Sequence, residues 1–346
     1  MSWKIAVDSC SAQAWDDLVR SRGCVYQGWE FAATLEEGLR QRIVRLAAVD
    51  TDGTVGAALA IAVLKSPLFG RFGVSLPVSD HSGVVYREEA ALRVVMEELP
   101  GFLAREGLDW IELRHFADPA PPVDLLAREH KITLELALPP DAEVLWTGLK
   151  AKVRNLVRKG EKAGLVYHQG GAERLEVFHR VYAHNLRDLG TPCYPKSFFA
   201  ALLRRFEGVC RIHLATLGEG GPVAAVGLTL RDGARQQIPF AASRVEYRRH
   251  SPNMFLYWRM LADAIENGCD VFDFGRSTRD SGTHRFKKQW GAVERPLRWF
   301  HQLAPGAEMP ELRVDSPKYR LAVSAWKRLP VGVATALSAR IVRHLP

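Results

Sequence analysis

Leu46-Ala47-Ala48-Val49-Asp50-Thr51-Asp52-Gly53-Thr54-Val55-Gly56-Ala57-Ala58-Leu59 has a counterpart far downstream in Leu214-Ala215-Thr216-Leu217-Gly218-Glu219-Gly220-Gly221-Pro222-Val223-Ala224-Ala225-Val226-Gly227. Each reads as a strand, a tight polar turn and a second strand, with Asp52-Gly53 and Gly220-Gly221 supplying the positive φ that hairpin turns require. A second echo follows in the same order. Gly107-Leu108-Asp109-Trp110-Ile111-Glu112-Leu113-Arg114 parallels Gly268-Cys269-Asp270-Val271-Phe272-Asp273-Phe274-Gly275, each after a helix-like segment, at 88–106 and 252–267. A further strand is expected at Thr133 to Leu138 in the first half and at Leu297 to Leu303 in the second. The pattern predicts an α/β fold, duplicated, with a mixed sheet in each half.

Working outward, a helical block separates the two echoes. Ala142 to Ala163 places Leu145, Leu149, Val153 and Leu156 or Val157 on one face of a helix that Gly164 ends. Two more helices are expected at 173–189 and 197–206, the latter after Pro195. The predicted division is 1–140 for the first domain, 141–305 for the second and 306–346 for a basic amphipathic tail.

The 346 residues suffice for two domains with their own cores. Lys and Arg number 47 against 39 Asp and Glu, a net charge of +8 that favours anionic partners. Five scattered cysteines without a Cys-x-x-Cys pair point to neither a disulfide framework nor a zinc site, and fit a reducing cytoplasm. Eleven histidines show no paired ligand spacing, so no metal is expected. No signal peptide is visible, and the longest apolar run, Val55 to Leu64, is far shorter than the roughly 20 residues that span a bilayer.

Chemistry is expected around Phe272-Asp273-Phe274-Gly275-Arg276-Ser277, a short buried strand that Gly275 turns sharply. Arg276, Lys287 and Lys288 are expected to converge at its end, where α/β sheets take their ligands, and to hold a carboxylate, a phosphate or a developing oxyanion. Asp273 paired with Arg276 or Lys287 in a structural network is the alternative. Asp273-Phe274-Gly275 is not a kinase signature, since the chain lacks the Gly-rich loop, the His-Arg-Asp segment and the Ala-Pro-Glu that accompany one. Lys152, Arg154 and Arg158, with Lys150, Lys159 and Lys162, form a cationic strip suited to phosphates or to a solvated face. Arg248-Arg249-His250 precedes Ser251-Pro252, where Ser251 is expected to cap a helix whose N-terminus favours an anion.

Lys152-Val153-Arg154-Asn155-Leu156-Val157-Arg158-Lys159-Gly160-Glu161-Lys162-Ala163-Gly164-Leu165, Leu189-Gly190-Thr191-Pro192, Ser251-Pro252-Asn253-Met254, Asp273-Phe274-Gly275-Arg276-Ser277 and Ser281 to Gly291 together resemble the FemAB family. The nearest flavour is its branch associated with PEP-CTERM and exosortase systems. The resemblance is specific from about 140 to 303. It implies tandem GNAT-like domains with a cleft between them, and acyl transfer to an amine of a cell-envelope precursor, a peptidoglycan peptide or an exopolysaccharide-linked amino sugar. The donor implied is an aminoacyl-tRNA, contacted through its backbone, or an acyl-CoA, with no tightly bound cofactor. Lys287, as the lysine of the Phe-Lys motif, would stabilise the oxyanion or the leaving oxygen. Asp273 is the candidate for orienting or deprotonating the amine, with Arg276, Ser277, Lys288, Lys152, Arg154, Arg158 and Arg249 as substrate-binding residues. The Arg-x-x-Gly-x-Gly turn by which GNAT enzymes usually cradle the CoA pyrophosphate is missing, and the segment after Gly208 leaves no room for an inserted tRNA-binding hairpin.

Two other readings stand beside this one: an acyl-CoA-dependent N-acetyltransferase, and a non-catalytic adaptor in envelope or exopolysaccharide assembly. The tail carries Arg313, Lys318, Arg320, Lys327, Arg328, Arg340 and Arg343 among apolar residues. It is expected either to pack back on the domain or to lie on an anionic membrane surface at the cytoplasmic face.

Overall fold

The computed structural model describes residues 2–66, 70–309 and 317–345. The chain forms two compact units, one taking the residues up to Lys131 with the segments that begin at Pro296 and Arg340, the other taking Ile132–Arg295 with the C-terminal helices as far as Ala339.

The first unit contains β1 (Lys4–Val7), α1 (Ala12–Arg22), α2 (Trp29–Leu39), β2 (Arg42–Val49), β3 (Val55–Ser66), β4 (Gly70–Val74), β5 (Val85–Tyr86), α3 (Glu89–Glu106), β6 (Trp110–Phe116) and the first residues of β7 (Leu126–Ala137). The β2–β3 hairpin closes on Asp50, whose carboxylate accepts from the N–H groups of Asp52 (3.0 Å) and Thr54 (2.8 Å), with Gly53 at φ 82°. The strands β1-β2-β3-β4 are antiparallel neighbours, β6 lies parallel to β4, and Leu297–Leu303 runs antiparallel beyond β6. Helix α3 provides the crossover that a parallel pair requires. It buries Leu92, Val95, Leu99 and Phe102 against Leu46, Leu59 and Ile61 of the hairpin.

The second unit holds the rest of β7, then α4 (Ala142–Gly148), α5 (Ala151–Lys162), β8 (Leu165–Gly170), α6 (Leu175–Leu189), α7 (Lys196–Arg205), β9 (Cys210–Leu217), β10 (Val223–Asp232), β11 (Arg235–Ser243), α8 (Pro252–Glu266), β12 (Val271–Ser277), α9 (Gly282–Lys288) and the start of β13 (Val293–Leu303). Its sheet reads β8-β9-β10-β11 antiparallel, β12 parallel to β11 across the crossover helix α8, and β7 antiparallel beyond. Both units therefore repeat one plan, as the sequence echoes predict. The fold differs in where the further strands go. Thr133 to Ala137 belongs to the second unit as the neighbour of β12, and Leu297 to Leu303 completes the first as the neighbour of β6. Hydrophobic pattern marks a strand but not its partner, so sequence order assigned each to the wrong half.

Two local expectations also change. The helix expected over Ala142 to Ala163 is two helices, because Leu149 is extended (ψ 145°) after Gly148, a poor helix former. Ser251 does not cap α8 with its side chain; it adopts a left-handed conformation (φ 55°) and Pro252 takes the first helical position. At the C-terminus α10 (Pro317–Lys327) and α11 (Val331–Ile341) pack back on the second unit. Arg187 Nη1 donates to Leu329 O (2.9 Å), Cys193 N donates to Ser338 Oγ (3.1 Å), and Gly190 leaves space that a Cβ would contest with Val323 at 2.5 Å. Leu321, Val333 and Leu337 remain exposed. Arg313 lies outside the described residues. No described helix is long and apolar enough to cross a membrane.

Candidate active site

The two parallel strands of the second unit pair only at their first residues, Arg235 with Val271, Gln236 with Phe272 and Gln237 with Asp273. Beyond that point both are bulged on their other sides. Against β10 the register of β11 shifts between Gln237 and Phe240, and against β7 that of β12 shifts between Asp273 and Arg276. Pro239, which has no N–H to give, falls in the first bulge, and Gly275, at φ 74°, in the second. The strands thus part after Gln237 and Asp273, at the carboxyl ends where parallel sheets receive ligands.

Asp273 is 2% exposed. Its Oδ1 accepts from Thr133 Oγ1 (2.6 Å) and from the backbone N–H of Gly275 (2.8 Å). Arg235 Nη1 lies 3.6 Å from its Oδ2 and 2.8 Å from Glu135 Oε1, and Arg295 Nη1 reaches the same Glu135 oxygen at 3.1 Å. Burial outweighs these hydrogen bonds and pushes the Asp273 carboxyl up to about 6. Its cationic neighbour is Arg235, rather than the Arg276 or Lys287 that sequence spacing suggested. Thr133, Glu135 and Arg235 are far away in sequence, and no local motif announces them.

Lys287 reaches the same bulge from α9. Ser281 caps this short helix, its Oγ accepting from His284 N (3.1 Å). Phe286 packs on Tyr257 and Trp290 is buried, which turns Lys287 inward. The lysine is 7% exposed, and its Nζ donates to the carbonyls of Gly275 (2.7 Å) and Arg276 (2.9 Å). The cation that the sequence reading assigned to an oxyanion is spent in this structure on the backbone of the bulge. Lys288 instead faces Glu294, 3.5 Å away. Glu294 also accepts from Arg279 (2.9 Å) and His284 (2.8 Å), and these bonds hold it down at about 2.

Of the other expected binding residues, Arg276 is exposed and Ser277 is buried at the end of β12, its Oγ without a hydrogen-bond partner among the described residues. Lys152 and Arg158 are exposed on α5, with the Arg158 guanidinium 5.4 Å from the centre of the Trp146 ring. Arg154 caps α4, donating to Thr147 O (2.7 Å) and Leu149 O (2.9 Å). Arg249 is exposed in the turn before α8 and donates to His250 Nε2 (3.0 Å). The strip on α5 is held close to α8 because Gly160 lies against Phe255, where a Cβ would come within 2.9 Å.

The first unit repeats the motif and closes it. Strands β4 and β6 pair from Phe72 with Trp110 to Val74 with Glu112, so Glu112 stands where Asp273 stands in the second unit. There the chain itself fills the opening. Ser75 N donates to Glu112 O (2.8 Å), Gly83 N to Arg114 O (2.7 Å), and the segment between holds Leu76 and Val78 at φ 47° and 78°, conformations costly for such side chains. Glu112 is buried as well, but Arg114 (2.8 Å) and His301 (3.1 Å) overcome the effect of burial and bring it down to about 2. That carboxylate stabilises the fold above its ordinary pKa of 4.5 and ceases to do so as pH falls toward 2. Its contribution at neutral pH is roughly 3 kcal/mol. Acid unfolding followed by circular dichroism should therefore show a steep limb below pH 4.5 that Glu112→Gln flattens.

Residues 148–288 match the profile of the acetyltransferase (GNAT) domain. No curated protein sequence matches the chain. Among solved structures, FemX is similar with a TM-score of 0.64 at 16% identity, over 85% of this chain and 96% of that one. A tandem GNAT protein from the clavulanic acid biosynthesis pathway gives 0.52 at 13% identity, over 90% and 100%. Saccharomyces cerevisiae N-myristoyltransferase with bound myristoyl-CoA gives 0.52 at 10%, over 88% and 82%. The chain thus has the tandem GNAT-like α/β fold, and the stretch from the end of α4 to the end of α9 is similar to the acetyltransferase (GNAT) domain.

Proposed function

We propose that this chain is an N-acyltransferase that moves an acyl or aminoacyl group to an amine of a cell-envelope precursor, at the opening between β11 and β12. The observation that carries this reading is the Asp273 carboxylate at the point where the strands part, buried and pushed up to about 6. A base near neutrality suits an acceptor amine, which must lose a proton before it can attack.

In the reaction the amine nitrogen forms a bond to the acyl carbon while the carbonyl π pair moves to oxygen. Asp273 takes the proton that the nitrogen sheds. Collapse of the tetrahedral species breaks the bond to the leaving thiol sulfur or ribose oxygen, which departs with its electron pair and receives that proton. The donor's phosphates have cations to meet: Arg249 before the N-terminus of α8, and Lys152 and Arg158 on the neighbouring α5. The short connection from α7 into β9 has no inserted hairpin for tRNA, and the turn before α8 lacks the glycine pattern of a CoA pyrophosphate cradle, so both donors enter the test.

Acyl-CoAs and aminoacyl-tRNAs offered with amine acceptors, followed by mass spectrometry, test the proposal. Transfer is expected, and calorimetry should find one donor per chain because the first unit's opening is filled. Absence of transfer from every donor, or two donors bound per chain, would count against it.

A further inference from the structure

We propose that Gln237 is the hydrogen-bond donor that holds the carbonyl oxygen of the acyl group and the oxyanion it becomes. The proposal rests on the acyl-transfer reading above and adds to it a residue that no sequence motif marks.

Gln237 is the last residue of β11 in register with β12, and its partner across the ladder is Asp273. Paired residues of a parallel ladder project to the same face, so the amide and the carboxylate stand side by side where the strands part. Arg235, two residues earlier on that face, does reach Asp273 Oδ2 at 3.6 Å. Gln237 is 3% exposed, and its Nε2 has no hydrogen-bond partner among the described residues. A buried amide left unsatisfied destabilises the fold, which a leucine of similar bulk would avoid. The unpaired Nε2–H groups suit a ligand that accepts a hydrogen bond.

Two other donors near the opening are already engaged. Lys287 is held by two backbone carbonyls, and Arg235 by Glu135 and Asp273. Ser277 has a hydroxyl without a partner, but it pairs with Ile132 whereas Asp273 pairs with Glu135, which puts the two on opposite faces. A neutral amide also suits a place beside the base. A second cation there would add to the lowering that Arg235 already exerts on the Asp273 carboxyl and weaken it as a proton acceptor, while a neutral amide N–H stabilises negative charge at the oxyanion. As the carbonyl π pair moves to oxygen the Nε2–H···O bond shortens and strengthens. When the tetrahedral species collapses the pair returns and the leaving group departs with its own electrons. The amide keeps its proton throughout.

The test compares the full chain with Gln237→Leu and Gln237→Met for kcat, donor KM, the pH profile and thermal midpoint, with acetyl-CoA or an aminoacyl-tRNA as donor, whichever the wild-type chain uses. Both variants should lose about 10²–10³ in kcat. Donor KM and the kinetic pKa of the base should stay in place, and the thermal midpoint should hold or rise because an unsatisfied amide has gone. Wild-type kcat in either folded variant would overturn the assignment while leaving acyl transfer standing. A thermal midpoint lowered equally in both variants would mark Gln237 as packing and overturn it too. A wild-type chain that transfers no acyl group removes the reaction, and the assignment falls with it.

Discussion

Asparagine at position 273 is expected to lower acyl transfer by about 10²–10⁴-fold, the usual worth of a positioned general base, while leaving the fold intact. Asn Oδ1 can keep both bonds that Asp273 Oδ1 accepts, from Thr133 and Gly275. What it lacks is the charge. Because burial raises this carboxyl to about 6, its ionisation opposes folding: the protonated form is favoured at low pH and that advantage is lost as pH rises through about 6. Asp273→Asn should therefore have an equal or higher thermal midpoint than wild type at pH 8. The two measurements separate catalysis from structure. Wild-type activity should fall as pH drops through about 6, and the residual activity of the variant should show no such limb. An active Asp273→Asn chain with an unchanged pH profile would place the base elsewhere.

The second large effect is expected at Lys287, through structure first. Its ammonium, nearly buried, satisfies two consecutive carbonyls of the bulge, and hydrogen bonds to a charged group contribute about 1.5–3 kcal/mol each. Lys287→Met should therefore cost at least about 3 kcal/mol in urea unfolding, since both carbonyls lose their partner. Lys287→Arg should not restore it, because a planar guanidinium does not fit where a compact ammonium sits. Below the melting range the methionine variant should also show a kinetic pKa above that of wild type. Once the bulge slackens, the Gly275 N–H no longer holds the ionised form of Asp273. A Lys287→Met chain of wild-type stability that has lost all transfer would instead return the lysine to direct contact with the reacting atoms.

The sequence made the plan of the fold readable because duplication leaves the same signals twice. Turn glycines stand between apolar runs, and a helix separates the strands of each parallel pair. Partner choice was less readable. Nothing in Thr133 to Leu138 says that it lies beside β12, since strand pairing is set by register across the sheet rather than by composition. The site shows the same division. Asp273 was named from the sequence within the short buried strand, and it is the centre of the proposed site. The family resemblance singled out Lys287, but only the inward turn of Phe286 and Trp290 shows that its side chain is buried while that of Lys288 is not. Gln237 gave no signal at all, because what singles it out is a missing partner.

The passage of the chain through β7 has a consequence for how the protein can be divided. Sequence similarity to the GNAT domain begins at residue 148, yet Thr133 and Glu135, which surround the Asp273 carboxylate, are supplied by a strand that precedes it. A fragment cut at the start of the recognisable domain would keep the aspartate and lose its hydroxyl donor. The heritable unit marked by sequence and the working unit marked by hydrogen bonds have different edges. Fusion, truncation or recombination at the former would disarm the latter without touching any residue that the domain similarity covers.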